Sequence, residues 1–186
     1  DDPAIAEVAR AQGAEVPFMR DAALADDHTP TVPVIADACA RLALDPSEPV
    51  CCLYATAPFV RAADLSAGRA ALDRPGTTYA LSVTTFPFPI QRALRRDDTG
   101  AVAMFDPSTM QTRSQDLEEA WHDAGQFYWA RAETWTAQRG VFDAGALGVS
   151  IPRHRVQDID TDEDWRRAEY MMQAIRAAEA EEARDG

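Results

Sequence analysis

Two aspartates two positions apart, Asp158 and Asp160, lie in the run Gln157-Asp158-Ile159-Asp160-Thr161-Asp162-Glu163-Asp164-Trp165 near the C-terminal end. Val156 and Ile159 are apolar; if the segment is extended, a period of two puts both carboxylates on one face. Thr161 with Asp164 three residues on resembles a capping box, with Asp162 and Glu163 in the electropositive first turn. The stretch reads as a strand end, two aligned carboxylates and a helix start. Ligands of α/β sheets bind at strand C-termini. Paired carboxylates there suit a hard cation such as Mg²⁺, which takes oxygen ligands and favours a phosphate partner. Two plainer readings compete. One is a solvated acidic helix start. The other is a calcium loop, because Asp158, Asp160, Asp162 and Asp164 alternate and Glu169 falls at the twelfth position. Glu163 stands where that loop needs glycine and Pro152 interrupts the incoming helix, so the calcium loop is excluded.

Three further clusters carry chemistry. Arg113-Ser114-Gln115-Asp116 precedes His122-Asp123-Ala124-Gly125-Gln126-Phe127-Tyr128-Trp129. Arg113 can fork onto a carboxylate or phosphate, and His122 with Asp123 is either a surface pair or part of a site. Gly125, entering an aromatic strand, hints at a close backbone approach. Tyr54-Ala55-Thr56-Ala57-Pro58-Phe59 ends an apolar run in small residues, against which a sugar or base could lie or which simply turn the chain. Arg20, followed by Asp26-Asp27-His28, reads as a solvated loop. No nucleophile elbow, HExxH, zinc spacing or Walker lysine occurs, which leaves metal-assisted transfer or plain binding.

These residues must be carried by alternating elements. Helical spacing covers Pro3–Gln12 and Thr31–Leu44, the second with Val34, Ile35, Ala38, Cys39 and Leu42 on one face. Ala14–Phe18 is a strand candidate. Val50–Tyr54 reads as a buried parallel strand, Ala62–Leu72 as the following helix and Tyr79–Phe86 as the next strand, a βαβ unit. Pro87–Met110 breaks the rhythm with a turn at Asp97–Gly100 and a strand at Val102–Phe105, as flaps, hairpins and subunit contacts do. Ser114–Trp121 is a short helix or turn, Gly125–Ala130 a strand, Glu133–Gln138 a short helix and Leu147–Ile151 a strand. A last helix runs from Asp162 to about Ala183.

The totals bound the answer. A length of 186 residues with 46% hydrophobic content fits one domain with a sizeable core. A formal charge of -13 argues against a nucleic-acid surface, though local arginines and a metal can still hold phosphate. Cys39, Cys51 and Cys52 lack metal spacing and read as reduced thiols of a cytoplasmic protein. No apolar stretch approaches the length of a membrane span.

Taken together, the segments Cys51–Phe59, Phe86–Ala93, Arg113–Ala120, His122–Trp129 and Arg155–Thr161 resemble the pseudaminic acid branch of the acylneuraminate cytidylyltransferase family, in order and along essentially the whole chain. The resemblance implies a three-layer α/β/α, Rossmann-like nucleotide-diphospho-sugar-transferase fold with a mixed sheet. It implies transfer of CMP from CTP to pseudaminic acid, with release of pyrophosphate. It maps Mg²⁺ onto Asp158 and Asp160. The sugar falls to His122, Asp123, Gln126 and Tyr128, with Arg113 and Gln115 near, and to Tyr54, Ala55, Thr56 and Arg20. Residues 87–124 then form a flap or dimerisation excursion of a single domain 1–186, giving a homodimer. The family opens with a strand entering an Arg-x-Gly-Gly-Ser-Lys-type loop that cradles the triphosphate. That loop is not found between Asp1 and Gly186, so the resemblance implies a chain lacking roughly one N-terminal βαβ unit. The alternatives are the same chemistry on sialic or legionaminic acid, a non-catalytic sugar-acid-binding remnant, or a partner that completes its sheet with another polypeptide.

Overall fold

The computed structural model describes residues 1–26 and 28–185. Asp27 of the Asp26-Asp27-His28 cluster lies outside the described residues. In chain order the elements are α1 (Pro3–Ala11), α2 (Thr31–Arg41), β1 (Pro49–Leu53), α3 (Ala62–Leu72), β2 (Tyr79–Thr85), β3 (Leu94–Arg96), β4 (Val102–Met104), β5 (Trp121–Arg131), α4 (Ala132–Thr136), β6 (Ala146–Ser150) and α5 (Asp162–Asp185). Short 3₁₀ turns lie between several of them. The chain falls into two compact units, Asp1–Val50 with Ala130–Ala144, and Cys51–Trp129 with Gly145–Gly186.

In the first unit, Asp2 caps α1 by accepting from the amide of Ala4 at 2.6 Å. α2 packs on α4, with Cys39 and the wholly inaccessible Trp135 in its core. The Trp135 indole donates to the Val50 carbonyl at 3.4 Å. Residues 14–18, expected as a strand, are irregular. Among the described residues no strand pairs with them, and an extended segment without a ladder partner has no sheet hydrogen bonds to hold it. Phe18 instead lies under the guanidinium of Arg41, 5.2 Å from the ring centre.

The second unit is built on a sheet of order β1-β5-β2-β6. β2 and β6 are parallel, in register from Tyr79 opposite Ala146 to Val83 opposite Ser150. β5 runs against β2: Phe86 N bonds Ala120 O, whereas Gln126 N reaches back to Ser82 Oγ, so the sheet is mixed. Tyr79, Ala80, Leu81 and Ser82 are all buried, as a central strand covered by α3 requires. Gly68 makes that cover possible, because a Cβ there would lie 2.7 Å from Phe127 and Trp129 side-chain atoms.

Three expectations change. β1 is not an interior strand: β5 separates it from β2, and Leu53 is 50% exposed. The apolar run signals burial but not which neighbour supplies it. β5 covers eleven residues, well beyond Gly125–Ala130. Finally, the Asp158 segment is not a strand end. β6 stops at Ser150, Pro152 enters a 3₁₀ turn at Arg153–Arg155, and residues 156–159 form an irregular loop. The helix start is as read: Asp164 Oδ2 accepts from Thr161 N at 3.0 Å and from Thr161 Oγ1 at 2.7 Å. The excursion is a hairpin of β3 and β4, Leu94 opposite Met104, turned by Asp97, which binds the amides of Thr99 and Ala101. No helix among the described residues is long and apolar enough to cross a membrane.

Candidate active site

A cavity of about 540 Å³ opens in the second unit where β1, β2, β5, the 151–159 loop and α5 converge. Tyr54 lies just past the end of β1, Thr84 and Thr85 end β2, and His122–Gly125 and Tyr128 come from β5. Arg153, Gln157 and Asp158 come from the loop, and Arg167 from α5.

The β5 wall is internally braced. Asp123 Oδ2 accepts from the Tyr128 hydroxyl at 2.5 Å and Oδ1 from the Gly125 amide at 2.9 Å. Gly125 holds φ +62°, which L side chains rarely adopt, and a Cβ there would meet nothing within 4 Å. Its role is therefore the left-handed turn and an open face toward the cavity, not close protein contact. Burial and then the Asp123 carboxylate push the Tyr128 phenol pKa far up. The Tyr54 ring stands 5.3 Å from that of Tyr128, tilted by 48°. His122 Nδ1 lies 2.8 Å from the Asp123 carbonyl; a carbonyl only accepts, so Nδ1 donates to it and Nε2 is the ring position left over. Phe86 packs on the imidazole at 4.7 Å.

The loop bearing Asp158 is anchored by Arg155. Its guanidinium makes a bidentate pair with Asp64 of α3, at 2.5 and 3.0 Å, with side chains only 8% and 12% exposed. Arg155 also donates to the Phe59 carbonyl at 3.2 Å. The Asp64 pKa is held down, first by the Arg155 hydrogen bond, and that of Arg155 is raised by the same bond. Gln126, expected to touch sugar, is instead part of this brace: its Nε2 donates to the Arg155 carbonyl at 2.5 Å, and it is 2% exposed.

The other expected site residues divide. Tyr54, His122, Asp123, Tyr128 and Asp158 are brought together on the cavity. Ala55 and Thr56 form the turn after β1 and do not line it. Arg113 forks onto Asp116 at 2.7 and 3.1 Å, while Gln115 lines a separate groove with Phe86 and Phe88. Arg20 belongs to the first unit, where it pairs with Asp1. Asp160 is exposed at the bend before α5 and is not a wall of the cavity. Thr84, Thr85, Arg153, Gln157 and Arg167 escaped the sequence reading. Only the position of Thr84-Thr85 at the close of a strand could have flagged them; no spacing marks the two arginines.

Asp158 and Asp160 carry oxygen donors of the type a hard cation takes, but only Asp158 lines the cavity. Among the described residues neither carboxylate accepts a hydrogen bond or forms an ion pair, while Asp164 is consumed by its cap. No group of three or more His, Cys, Asp or Glu side chains placed to hold a metal occurs among the described residues. Two free carboxylates, completed by water and phosphate oxygens, are what Mg²⁺ takes at phosphoryl-transfer sites.

No protein-family model matches the chain. Over 166 residues it is 37% identical to a pseudaminic acid cytidylyltransferase of Campylobacter jejuni subsp. jejuni serotype O:2, spanning 88% of this chain and 72% of that protein. The protein of the same name from serotype O:23/36 is 36% identical over the same shares. A Helicobacter pylori protein, named as pseudaminic acid cytidylyltransferase and UDP-2,4-diacetamido-2,4,6-trideoxy-beta-L-altropyranose hydrolase, is 28% identical over 82% of the chain and 29% of its own length. Among solved structures, a CMP:2-keto-3-deoxy-manno-octonic acid synthetase complexed with CTP superposes with a TM-score of 0.57 at 16% identity, covering 98% of this chain and 79% of the other. At that identity the likeness carries the fold alone, a nucleotidyltransferase-like α/β fold with a mixed sheet.

Proposed function

The chain belongs to the pseudaminic acid cytidylyltransferase family, a family of nucleotidyltransferase enzymes, and we propose that it transfers CMP from CTP to the anomeric hydroxyl of pseudaminic acid, releasing pyrophosphate. The observation that carries this reading is the convergence of Tyr54, His122, Asp123, Tyr128 and Asp158 on one cavity in a chain so closely related to those enzymes.

Asp158 and Asp160 would hold Mg²⁺, which when bound supplies positive charge against the phosphates of CTP. The protein's own groups orient the sugar. Asp123 has both oxygens engaged by Tyr128 and Gly125, so it fixes the β5 wall. Tyr128 stays a neutral phenol beside Tyr54, and the two rings offer an apolar face with polar tips to a sugar ring. With Nδ1 committed to the Asp123 carbonyl, His122 Nε2 is the ring position that hydrogen-bonds a hydroxyl of the sugar. Catalysis is then positioning and electrostatics, with no covalent intermediate on the chain.

We also propose that the β3–β4 hairpin joins two copies of the chain. Phe88, Leu94, Val102 and Phe105 are exposed on and around it, an apolar cluster that a monomer leaves in water. Light scattering should give a dimer, and Leu94→Asp with Val102→Asp a monomer. A wild-type monomer at every concentration rules this out.

The reaction is tested by pyrophosphate release from CTP and Mg²⁺ with pseudaminic, sialic and legionaminic acids in parallel. Pseudaminic acid should give the highest kcat/KM. Preference for another acid replaces the substrate and leaves the chemistry; sugar binding without turnover of any leaves only a binding protein.

A further inference from the structure

Resting on that reading, we infer that Arg153, Arg167 and Thr84 form the subsite that grips the carboxylate of the sugar acid. Both arginines line the cavity, Arg153 from the turn after β6 and Arg167 from the second turn of α5. Acidic residues outnumber basic ones 31 to 18, and Arg41, Arg61, Arg69, Arg113 and Arg155 each have a carboxylate partner. Among the described residues Arg153 and Arg167 have none. Arg153 makes one long bond, from Nη1 to the Phe86 carbonyl at 3.4 Å, which leaves most of its fork free. Arg167 acts on Asp164 only through space, and the Asp164 oxygens are already taken by Thr161 and Gln157. Two guanidinium groups without a carboxylate partner, both on residues that line one cavity, can hold an anion there.

Thr84 independently points to a ligand. Its side chain is 2% exposed, lines the same cavity, and its Oγ1 is buried with no partner among the described residues. A buried hydroxyl left without a partner is costly, so natural proteins leave one where a ligand or water completes it. A carboxylate accepts from a hydroxyl as readily as from a guanidinium.

The anion is the sugar carboxylate and not a phosphate for a reason of charge balance. Phosphate oxygens would meet their counter-charge at Asp158 and Asp160, through the cation those side chains suit. The carboxylate of a 2-keto sugar acid is a second, separate anion, and two guanidinium forks with a hydroxyl match its planar pair of oxygens.

The test is calorimetric titration of wild type, Arg153→Gln, Arg167→Gln and Thr84→Val with three probes: pseudaminic acid, its methyl ester and inorganic pyrophosphate. Each Arg→Gln variant should weaken the free acid by about tenfold or more, Thr84→Val by less. The ester, lacking the charge, should bind wild type and variants alike. Both arginines are exposed, so the variants keep the fold, checked by circular dichroism. Unchanged acid affinity in both Arg→Gln variants overturns the subsite while the proposed reaction stands. Loss of pyrophosphate in place of acid assigns the arginines to phosphate and also overturns it. A wild type that binds no sugar acid takes down the functional reading along with the subsite.

Discussion

Replacing Asp64 by Asn removes one charge and almost nothing else, and so isolates the pair that ties the Asp158 loop to α3. Asn keeps an oxygen to accept from Arg61 N, the helix-capping bond seen at 2.9 Å. It leaves Arg155, whose side chain is 8% exposed, as a buried cation facing a neutral amide. Breaking a buried, hydrogen-bonded ion pair from one side costs about 3–5 kcal/mol; the acceptor Asn retains puts the expectation at about 3 kcal/mol. For a chain of this length that is a fall in Tm of roughly 6–12 °C. The acid side gives a second readout. The Asp64 pKa is depressed in the folded state, so its contribution is present above the unfolded value of about 3.9 and fades as pH falls through the folded one. Wild type should therefore lose stability below about pH 4 more steeply than Asp64→Asn. Thermal melts followed by circular dichroism between pH 3 and 7 measure both. Hydrogen exchange of the 156–160 amides should quicken in the variant. Asp64→Leu with Arg155→Met should recover much of the lost stability, because it removes the stranded charge. A melting point within about a degree of wild type, with the same acid limb, would refute the argument.

Asp158→Asn should lower turnover by about a hundredfold or more with Tm unchanged, since its carboxylate has no hydrogen-bond or ion-pair partner among the described residues; wild-type pyrophosphate release in that variant removes the metal assignment. Gly68→Ala drives a Cβ into Phe127 and Trp129 at 2.7 Å and should cost about 1–3 kcal/mol, read by urea denaturation; a neutral result means α3 shifts freely on the sheet. In an alkaline ultraviolet titration Tyr128 should remain protonated well above pH 10, because its pKa is raised in the fold; the stability it contributes is complete below about pH 10 and declines above it, and Tyr128→Phe should remove one tyrosine from the late-titrating amplitude. Burial lifts Cys51 to about 12 and Cys52 to about 11, so both should react with a thiol reagent only as the chain unfolds; rapid labelling of the native protein at pH 8 contradicts their burial.

Much of this protein is legible locally. The α3 boundaries, the capping box of Thr161 with Asp164, the β2 strand and the hairpin each depend on hydrogen bonds or periodicity spanning a handful of residues, and such patterns are written in adjacent letters. The bracing of Tyr128 by Asp123, five residues apart on one strand, is near the edge of that range. The tertiary structure decided what lies beyond it. Which strand β1 pairs with, and that Gln126 turns inward to the Arg155 carbonyl, follow from packing that no local pattern encodes. Arg155 and Asp64 are 91 residues apart; Arg113 spends its fork on Asp116 three residues on, whereas among the described residues Arg153 and Arg167 have no carboxylate partner, which only the fold shows. An arginine's spelling states its charge; only the fold states which carboxylates come within reach of it, and which are left for a ligand to supply.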